Sequence, residues 1–294
     1  MNPTPRFADD VAAAWNRFWF PPATARRLAP VRVLAGLLGM LLAWTWLDDL
    51  DVWFGPGGMV SGDVIDGWRS GWAVSAFDAV AGPTGLRVLF AVGVVAFALL
   101  AAGAATPAAA PIAALFHASL LHRGPMLAGP ADDVLAVILW CLVVGRSGDA
   151  LSLDRMIADR SGRSVGPSWR NRTALGLLRV HASVLAAAAA LSQLKGDVWW
   201  NGSAAWHLAA REGSRLDVAG ALAGSEYLTN LLTHAIPLFE IGFAAAVWPR
   251  RFRRAAAIAG IVGWPLVGLL AGEPAWGGAM AILALACLPG DDEA

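Results

Sequence analysis

Apolar positions in this chain gather into long blocks with short polar breaks, the pattern of buried or lipid-facing helices rather than of alternating strands. The first block, 30–47, is long enough to span a bilayer at about 1.5 Å of rise per residue. Blocks at 86–104 and 108–121 follow, divided by Thr106 and Pro107; the shorter of them holds His117, so it is expected to be tilted or shielded by its neighbours. A fourth, 134–145, approaches spanning length only with 131–133, which sets Asp132 and Asp133 at the mouth of a helix near its partially positive end. The blocks 173–194, 227–248, 255–271 and 276–288 complete the set. The third, fourth and eighth are short enough to stay open to a re-entrant or interfacial reading.

The intervening segments have patterns of their own. Val11, Trp15, Phe18 and Trp19 recur at helical spacing around Arg17 before Pro21 and Pro22, which predicts a short helix lying on the membrane surface. After the first block, Asp48, Asp49, Asp51, Asp63, Asp66 and Asp78 face Arg69 alone, with Trp53, Phe54, Trp68 and Trp72 among them. That acidic loop is expected to fold back on the membrane as turns and a short amphipathic helix, with 55–58 as the turn. The segment 146–172 has six arginines and three aspartates, with a surface helix expected at 153–159. A polar connector is expected at 206–226.

Composition agrees with a membrane class: 57% of residues are hydrophobic and 15% charged, against roughly 25% charged in soluble domains. Fifteen tryptophans against one tyrosine suit the boundary between lipid and water. The formal net charge is zero, so no global basic field points to nucleic acid. Cys141 and Cys287 are isolated in apolar runs, which excludes a disulfide framework and offers no metal site. Two early prolines and an acidic pair interrupt the amino terminus, which does not read as a cleavable signal peptide.

Charge distribution then sets an orientation. With a cytoplasmic amino terminus, Arg6, Arg17, Arg26, Arg27, the six arginines of 146–172 and Arg250, Arg251, Arg253 and Arg254 lie inside, whereas Arg69, Arg123, Lys195, Arg211 and Arg215 lie outside, fourteen against five. The expected fold is therefore all-α, a polytopic integral membrane helical bundle of about eight transmembrane helices with interfacial amphipathic helices, both termini inside, multi-pass in the cell membrane. Its parts are a cytoplasmic interfacial segment 1–29, a membrane domain 30–288 and an acidic tail 289–294.

Polar groups at membrane depth each require a partner or a task. Arg32 is expected to snorkel to the cytoplasmic surface as a structural residue. Arg179 and His181 lie on the fifth span about 200 degrees apart around the helix, and Glu240 is set in the sixth; an Arg179–Glu240 ion pair is the structural reading beside a functional one. His117 and His181 read first as hydrogen-bonded packing residues. The stretch LSQLKGDVWWNGSAAW at 191–206 places Lys195 at an outer helix end beside Trp199 and Trp200. Two readings stand for this lysine: an interfacial anchor, or an amine desolvated beneath aromatic rings and so available as a base. Asp132, Asp133 and His234 share the outer half with it, and the four are the candidates for a catalytic pocket. Trp199, Trp200, Arg179, His181 and Glu240 are the candidates for contact with a lipid-soluble cofactor. Ser203 is expected to cap a helix running to Ala210. Phosphate-loop, dinucleotide, zinc-protease and serine-hydrolase motifs are absent from the sequence.

The same stretch, with WFGPGG after the first span, GPADDVL at the fourth, and NLLTHAIPLFEIGF followed by WPRRFRR, resembles the HTTM (horizontally transferred transmembrane) domain over nearly the whole chain. That family is related to the membrane part of vitamin K-dependent gamma-carboxylase and to the membrane protein that matures the sporulation-delaying peptide. The resemblance implies a reduced quinone or vitamin K-type lipid as the redox substrate, and a lysine base, which by position is Lys195. The carboxylase continues into a large lumenal region that engages its peptide, so carboxylation by this chain alone is not expected. Three functions follow as expectations: a carboxylase/epoxidase-like enzyme acting on a quinone-type lipid at the extracytoplasmic face; a non-enzymatic accessory protein in peptide maturation or export, with a peptide or protein partner; and, last, a transporter. Membrane lipids are partners in all three.

Overall fold

The computed structural model describes residues 7–55, 57–60, 62–69, 71, 73–80 and 82–290. Arg6, Trp72 and 291–294 of the acidic tail, all used above, lie outside the described residues. Helix α1 (Phe7–Trp19) precedes α2 (Leu28–Trp44), and the acidic loop folds into α3 (Leu50–Phe54) and α4 (Gly62–Trp68). Next come α5 (Gly82–Ala102), α6 (Thr106–Arg123) and α7 (Pro130–Val144), then α8 (Leu153–Arg160) within the arginine-rich segment. The long α9 (Trp169–Gln193) is followed by the short α10 (Asp197–Trp200), α11 (Ala204–Ala209) and α12 (Ala219–Ala223). Helices α13 (Glu226–Ala246), α14 (Arg250–Ala271) and α15 (Pro274–Ala286) complete the chain. Among the described residues the β pairing is one isolated bridge, Ala23 with Ser168.

Five segments are long and apolar enough to cross a membrane: Ala25–Trp44, Gly82–Ala102, Trp169–Gln193, Glu226–Ala246 and Arg250–Ala271. The chain is thus an all-helical bundle of the membrane type. The third, fourth and eighth blocks also form helices, but α7 has 15 residues and α15 has 13, which is about 20 Å of helix against a hydrocarbon thickness of about 30 Å. Helix α6 reaches 18 residues because it starts at Thr106 with proline in its first turn, and it ends on His122 and Arg123.

The apolar helix α15 lies at the centre and packs on α2, α7, α9 and α14, while α2 also packs on α5 and α9 on α13. Close approach depends on small residues, as expected where lipid provides no hydrophobic drive between helices. A Cβ at Gly36 of α2 would stand 2.7 Å from the Ala101 amide nitrogen and 2.8 Å from the Phe97 carbonyl oxygen of α5, so only glycine admits that contact.

Arginines tie the helix ends together. The last carbonyls of a helix have no partner inside it, and here guanidinium groups supply one. Arg32 of α2 donates to Leu100 and Ala101 at the end of α5, at 2.7 and 3.2 Å, and to Leu151 at 2.7 Å. Arg170 at the start of α9 donates to Val143 and Val144 at the end of α7. Arg253 of α14 donates to Val247 and Trp248 after α13, and Arg27 donates to Leu288 after α15. In the opposite sense, Asp154 of α8 accepts from Ala105 and Thr106 at the start of α6, at 2.8 and 2.7 Å. The starts of α2, α6, α9 and α14 and the ends of α5, α7, α13 and α15 therefore share one arginine-rich face, and the eight helices alternate in direction.

Two expectations change. Arg32 does not snorkel: its side chain is fully buried because three carbonyls replace water around it. The segment 206–226 is not a bare connector: Ala205, Ala209 and Leu222 form a small second core with Ile236 and Leu270. On the opposite face the acidic loop is stitched rather than splayed, with Arg69 bonded to both Asp66 and Asp78 and Arg87 2.6 Å from Asp51. The two carboxylates hold the Arg69 guanidinium above its usual range.

Arg32→Met should lower the melting midpoint of the detergent-solubilised protein, equivalent to about 2–4 kcal/mol for carbonyls left buried without donors. Arg32→Lys should recover only part, since an ammonium lacks the fork that reaches two helices. A midpoint unchanged in Arg32→Met would contradict this role.

Candidate functional site

On the face opposite the arginines, α11 and α12 pack on the first half of α13, and Trp199 of α10 joins their small core. The WWNG turn makes this possible. Gly202 has φ of 80°, a left-handed conformation that favours glycine, and the Asn230 side chain occupies the place its Cβ would take. Thr233, fully buried on α13, donates to the Gly202 carbonyl and accepts from the Ala205 amide, both at 2.9 Å. One turn earlier Thr229 donates to the Leu222 carbonyl at 2.7 Å. These two threonines, four residues apart and so on one helix face, fasten the cap to α13.

Two open grooves run along this junction. One, about 450 Å³, is lined by Asn201, Ser203, Trp206, Glu226 and Asn230 among others. The second, about 420 Å³, shares Asn230 and continues over Tyr227, Leu231, His234 and Leu238. Tyr227, Leu231 and Leu238 are among the most exposed apolar side chains of the chain. His234 is exposed in this groove, and its Nδ1 lies 2.9 Å from the Asn230 carbonyl oxygen. A carbonyl only accepts, so Nδ1 carries the proton, and in the neutral imidazole the lone pair is on Nε2.

The residues singled out in the sequence are distributed over three places. Lys195 follows the end of α9 and is exposed; its amine has no hydrogen-bond or ion-pair partner among the described residues, and it lines none of the five principal cavities. Trp200 is exposed and donates its indole N–H to the Leu194 carbonyl at 2.8 Å, capping α9, while Trp199 packs on the small second core. Asp132, Asp133 and His117 meet elsewhere, between α6 and α7. His117 is buried and its Nε2 donates to the Asp132 carbonyl at 2.9 Å, with the carboxylate at 3.9 Å. Asp132 accepts from the Gly129 amide at the start of α7, and Asp133 is exposed. The cavity beside them is about 20 Å³, room for about one water molecule.

Arg179, His181 and Glu240 do not form a cluster. Glu240 is fully buried and accepts from the Gln193 side chain at 3.0 Å. The antiparallel pair α9 and α13 is registered by Ser183 donating to the Ala244 carbonyl at 2.7 Å, so Glu240 meets the outer end of α9. By the Ser183–Ala244 register Arg179 lies about 12 Å further along the axis than Glu240, and it acts electrostatically near Cys287 together with Arg253 and Arg27. The Arg179–Glu240 pair expected from equal depth is therefore replaced by Gln193–Glu240, because α13 projects beyond the end of α9. His181 bonds within its helix, Nδ1 to the Leu177 carbonyl at 2.8 Å. Ser203 is helical rather than extended and donates to the Asn201 side chain at 2.6 Å, so it does not cap α11.

A larger cavity, about 550 Å³, opens on the arginine face between the start of α6, the end of α7 and α8. Its wall includes Asp149, 3.0 Å from Arg146, whose carboxyl burial pushes above the usual aspartate range. Among the described residues no group of three or more His, Cys, Asp or Glu is placed to hold a metal ion. No family model, no curated protein and no solved structure matches this chain.

Two measurements follow. Thr233→Val leaves the Gly202 carbonyl and Ala205 amide buried without partners, which should cost about 1–3 kcal/mol and open the 201–223 cap to protease before the bundle unfolds. Because the folded state holds its Asp149 proton to higher pH than the unfolded chain, this group lowers stability as pH rises through and above the ordinary aspartate range. Asp149→Asn should therefore raise the melting midpoint at neutral pH, with the gain shrinking towards pH 4; a gain independent of pH would contradict the burial effect.

Proposed function

We propose that the chain is an HTTM-type membrane protein that crosses the bilayer with eight helices, arginine face in the cytoplasm, and takes a reduced quinone-type lipid into the outer groove along α13. The observation that carries the reading is the presented Nε2 of His234. A hydroquinone hydroxyl placed there gives its proton to Nε2, leaving the hydroquinone anion and an imidazolium whose Nδ1–H is already directed at the Asn230 carbonyl. Tyr227, Leu231 and Leu238 provide an apolar wall for the ring and isoprenoid tail. The resemblance of the NLLTHAIPLFEIGF helix and the WWNG turn to the HTTM domain supports a redox lipid, and both elements border this groove.

Lys195 in this reading is the interfacial anchor. Its exposed amine, one position beyond the Trp200-capped end of α9, suits headgroups. That exposure also fits the accessory role in peptide maturation or export, in which the groove would receive a peptide and no turnover would occur.

The test is binding of menaquinol and vitamin K hydroquinone by the full chain in nanodiscs, and their oxidation there with dioxygen supplied as the two-electron acceptor. His234→Gln should reduce turnover at least about a hundredfold, the lower range for a general base, and Lys195→Ala should stay within about twofold of wild type. Loss in Lys195→Ala with His234→Gln active would return the base to the lysine. No binding and no turnover by wild type would end the quinol reading.

A further inference from the structure

The cavity on the arginine face is not used by anything proposed so far. Arg146, Arg155, Arg163 and Arg170 line it. Arg146 is paired with Asp149 and Arg155 with Asp159. The other two hold only neutral oxygens: Arg163 bonds the Ser161 hydroxyl at 3.1 Å, and Arg170 bonds the Val143 and Val144 carbonyls. Asp154, also on the wall, has both carboxylate oxygens engaged by the α6 amides. Two guanidinium groups in the cavity thus make no ion pair with a carboxylate among the described residues, although Asp149 acts on Arg170 at longer range. Thr106 adds a hydroxyl at the first turn of α6 that is nine-tenths buried or more and has no partner.

Beside these groups and Ser164, the wall has apolar residues that include Ala110, Pro111 and Leu142. Beside it, Leu151, Leu153, Met156 and Ile157 are exposed on and next to α8. A cavity lined by both guanidinium groups and hydrocarbon side chains, with exposed apolar residues beside it where helix ends meet, suits a molecule with an anionic head and an acyl tail. A free phosphate would use the arginines and leave the wall and rim without a role.

We infer that this cavity binds the phosphodiester headgroup of an anionic phospholipid from the leaflet on the arginine face, with Arg163 and Arg170 as its principal ligands. The shared chemistry is a phosphate ester held by charge-assisted hydrogen bonds; the acyl chain, lying against Ala110, Pro111 and Leu142, distinguishes lipid from soluble phosphate. The inference rests on the membrane orientation proposed above and not on the quinol chemistry.

Native mass spectrometry of the full chain, taken from nanodiscs of equal parts phosphatidylglycerol and phosphatidylcholine, reads the retained lipid. Wild type should retain phosphatidylglycerol preferentially. Arg163→Gln, at an exposed residue whose one partner is a serine, should lower that retention by about fivefold, the worth of one basic group at an anionic surface. Ile157→Glu should lower it further by setting a like charge at the rim, and His234→Gln should leave it unchanged. Inorganic phosphate and glycerophosphoglycerol should not displace the lipid. Equal retention of the two lipids, an unchanged Arg163→Gln, or displacement by inorganic phosphate would each overturn the assignment.

Discussion

The arrangement depends on one contact type, a guanidinium donating to the last carbonyls of a neighbouring helix. A helix that ends near lipid has little water to satisfy those carbonyls, and its terminus also carries partial negative charge. Arg32, Arg170 and Arg253 each reach from the first turns of one helix to the end of another, and Arg27 does so from just ahead of α2. Each contact joins antiparallel neighbours at one level, so the arginines align the bundle as well as cap it. Arg32 also holds Leu151, whose φ of 46° is a left-handed conformation costly for a branched side chain. Three of the arginines behind the orientation expected from charge, Arg27, Arg170 and Arg253, are thus also residues that close helices.

The opposite face is fastened differently. Arg123 still donates to the Gly55 carbonyl there, but much of the fastening falls to hydroxyls: Thr229 and Thr233 hold the cap on α13, and Ser75 donates to the Ser119 carbonyl at 2.7 Å. Neutral single bonds of this kind contribute about 1 kcal/mol each, less than a forked guanidinium. Short helices packed by a small second core leave open grooves between them.

The eight helices were legible because uninterrupted apolar blocks report length directly, and each observed helix starts within five residues of the block that predicts it. The shortness of α7 and α15 was legible for the same reason. Register between helices was not. Equal depth for Arg179 and Glu240 assumed that α9 and α13 end level, whereas Gln193, an unremarked residue at the end of a block, is the true partner. The cap helices were hidden because 204–223 mixes alanine with glycine and charge, and its burial comes from α13 rather than from its own pattern. Thr229 and Thr233 at helical spacing were the available signal. Of the candidate pocket, His234 lies in a groove, but Lys195 and the Asp132–Asp133 pair are separated, since residues on the same side of a bundle need not face the same interhelical space.

Glu240 illustrates how a buried charge is read once its partner is known. Its pair with Gln193 leaves two atoms without partners, the second carboxyl oxygen of Glu240 and the carbonyl oxygen of Gln193. Both are acceptors as long as the carboxyl is ionised, so neither can serve the other. A proton on the carboxyl converts one of them into a donor, and the acid and the carboxamide then have complementary groups for two bonds in place of one. An ionised carboxylate at this depth would need a cation, and no arginine pairs with Glu240 among the described residues. The hydrogen-bond count therefore matches a neutral acid that locks α9 to α13.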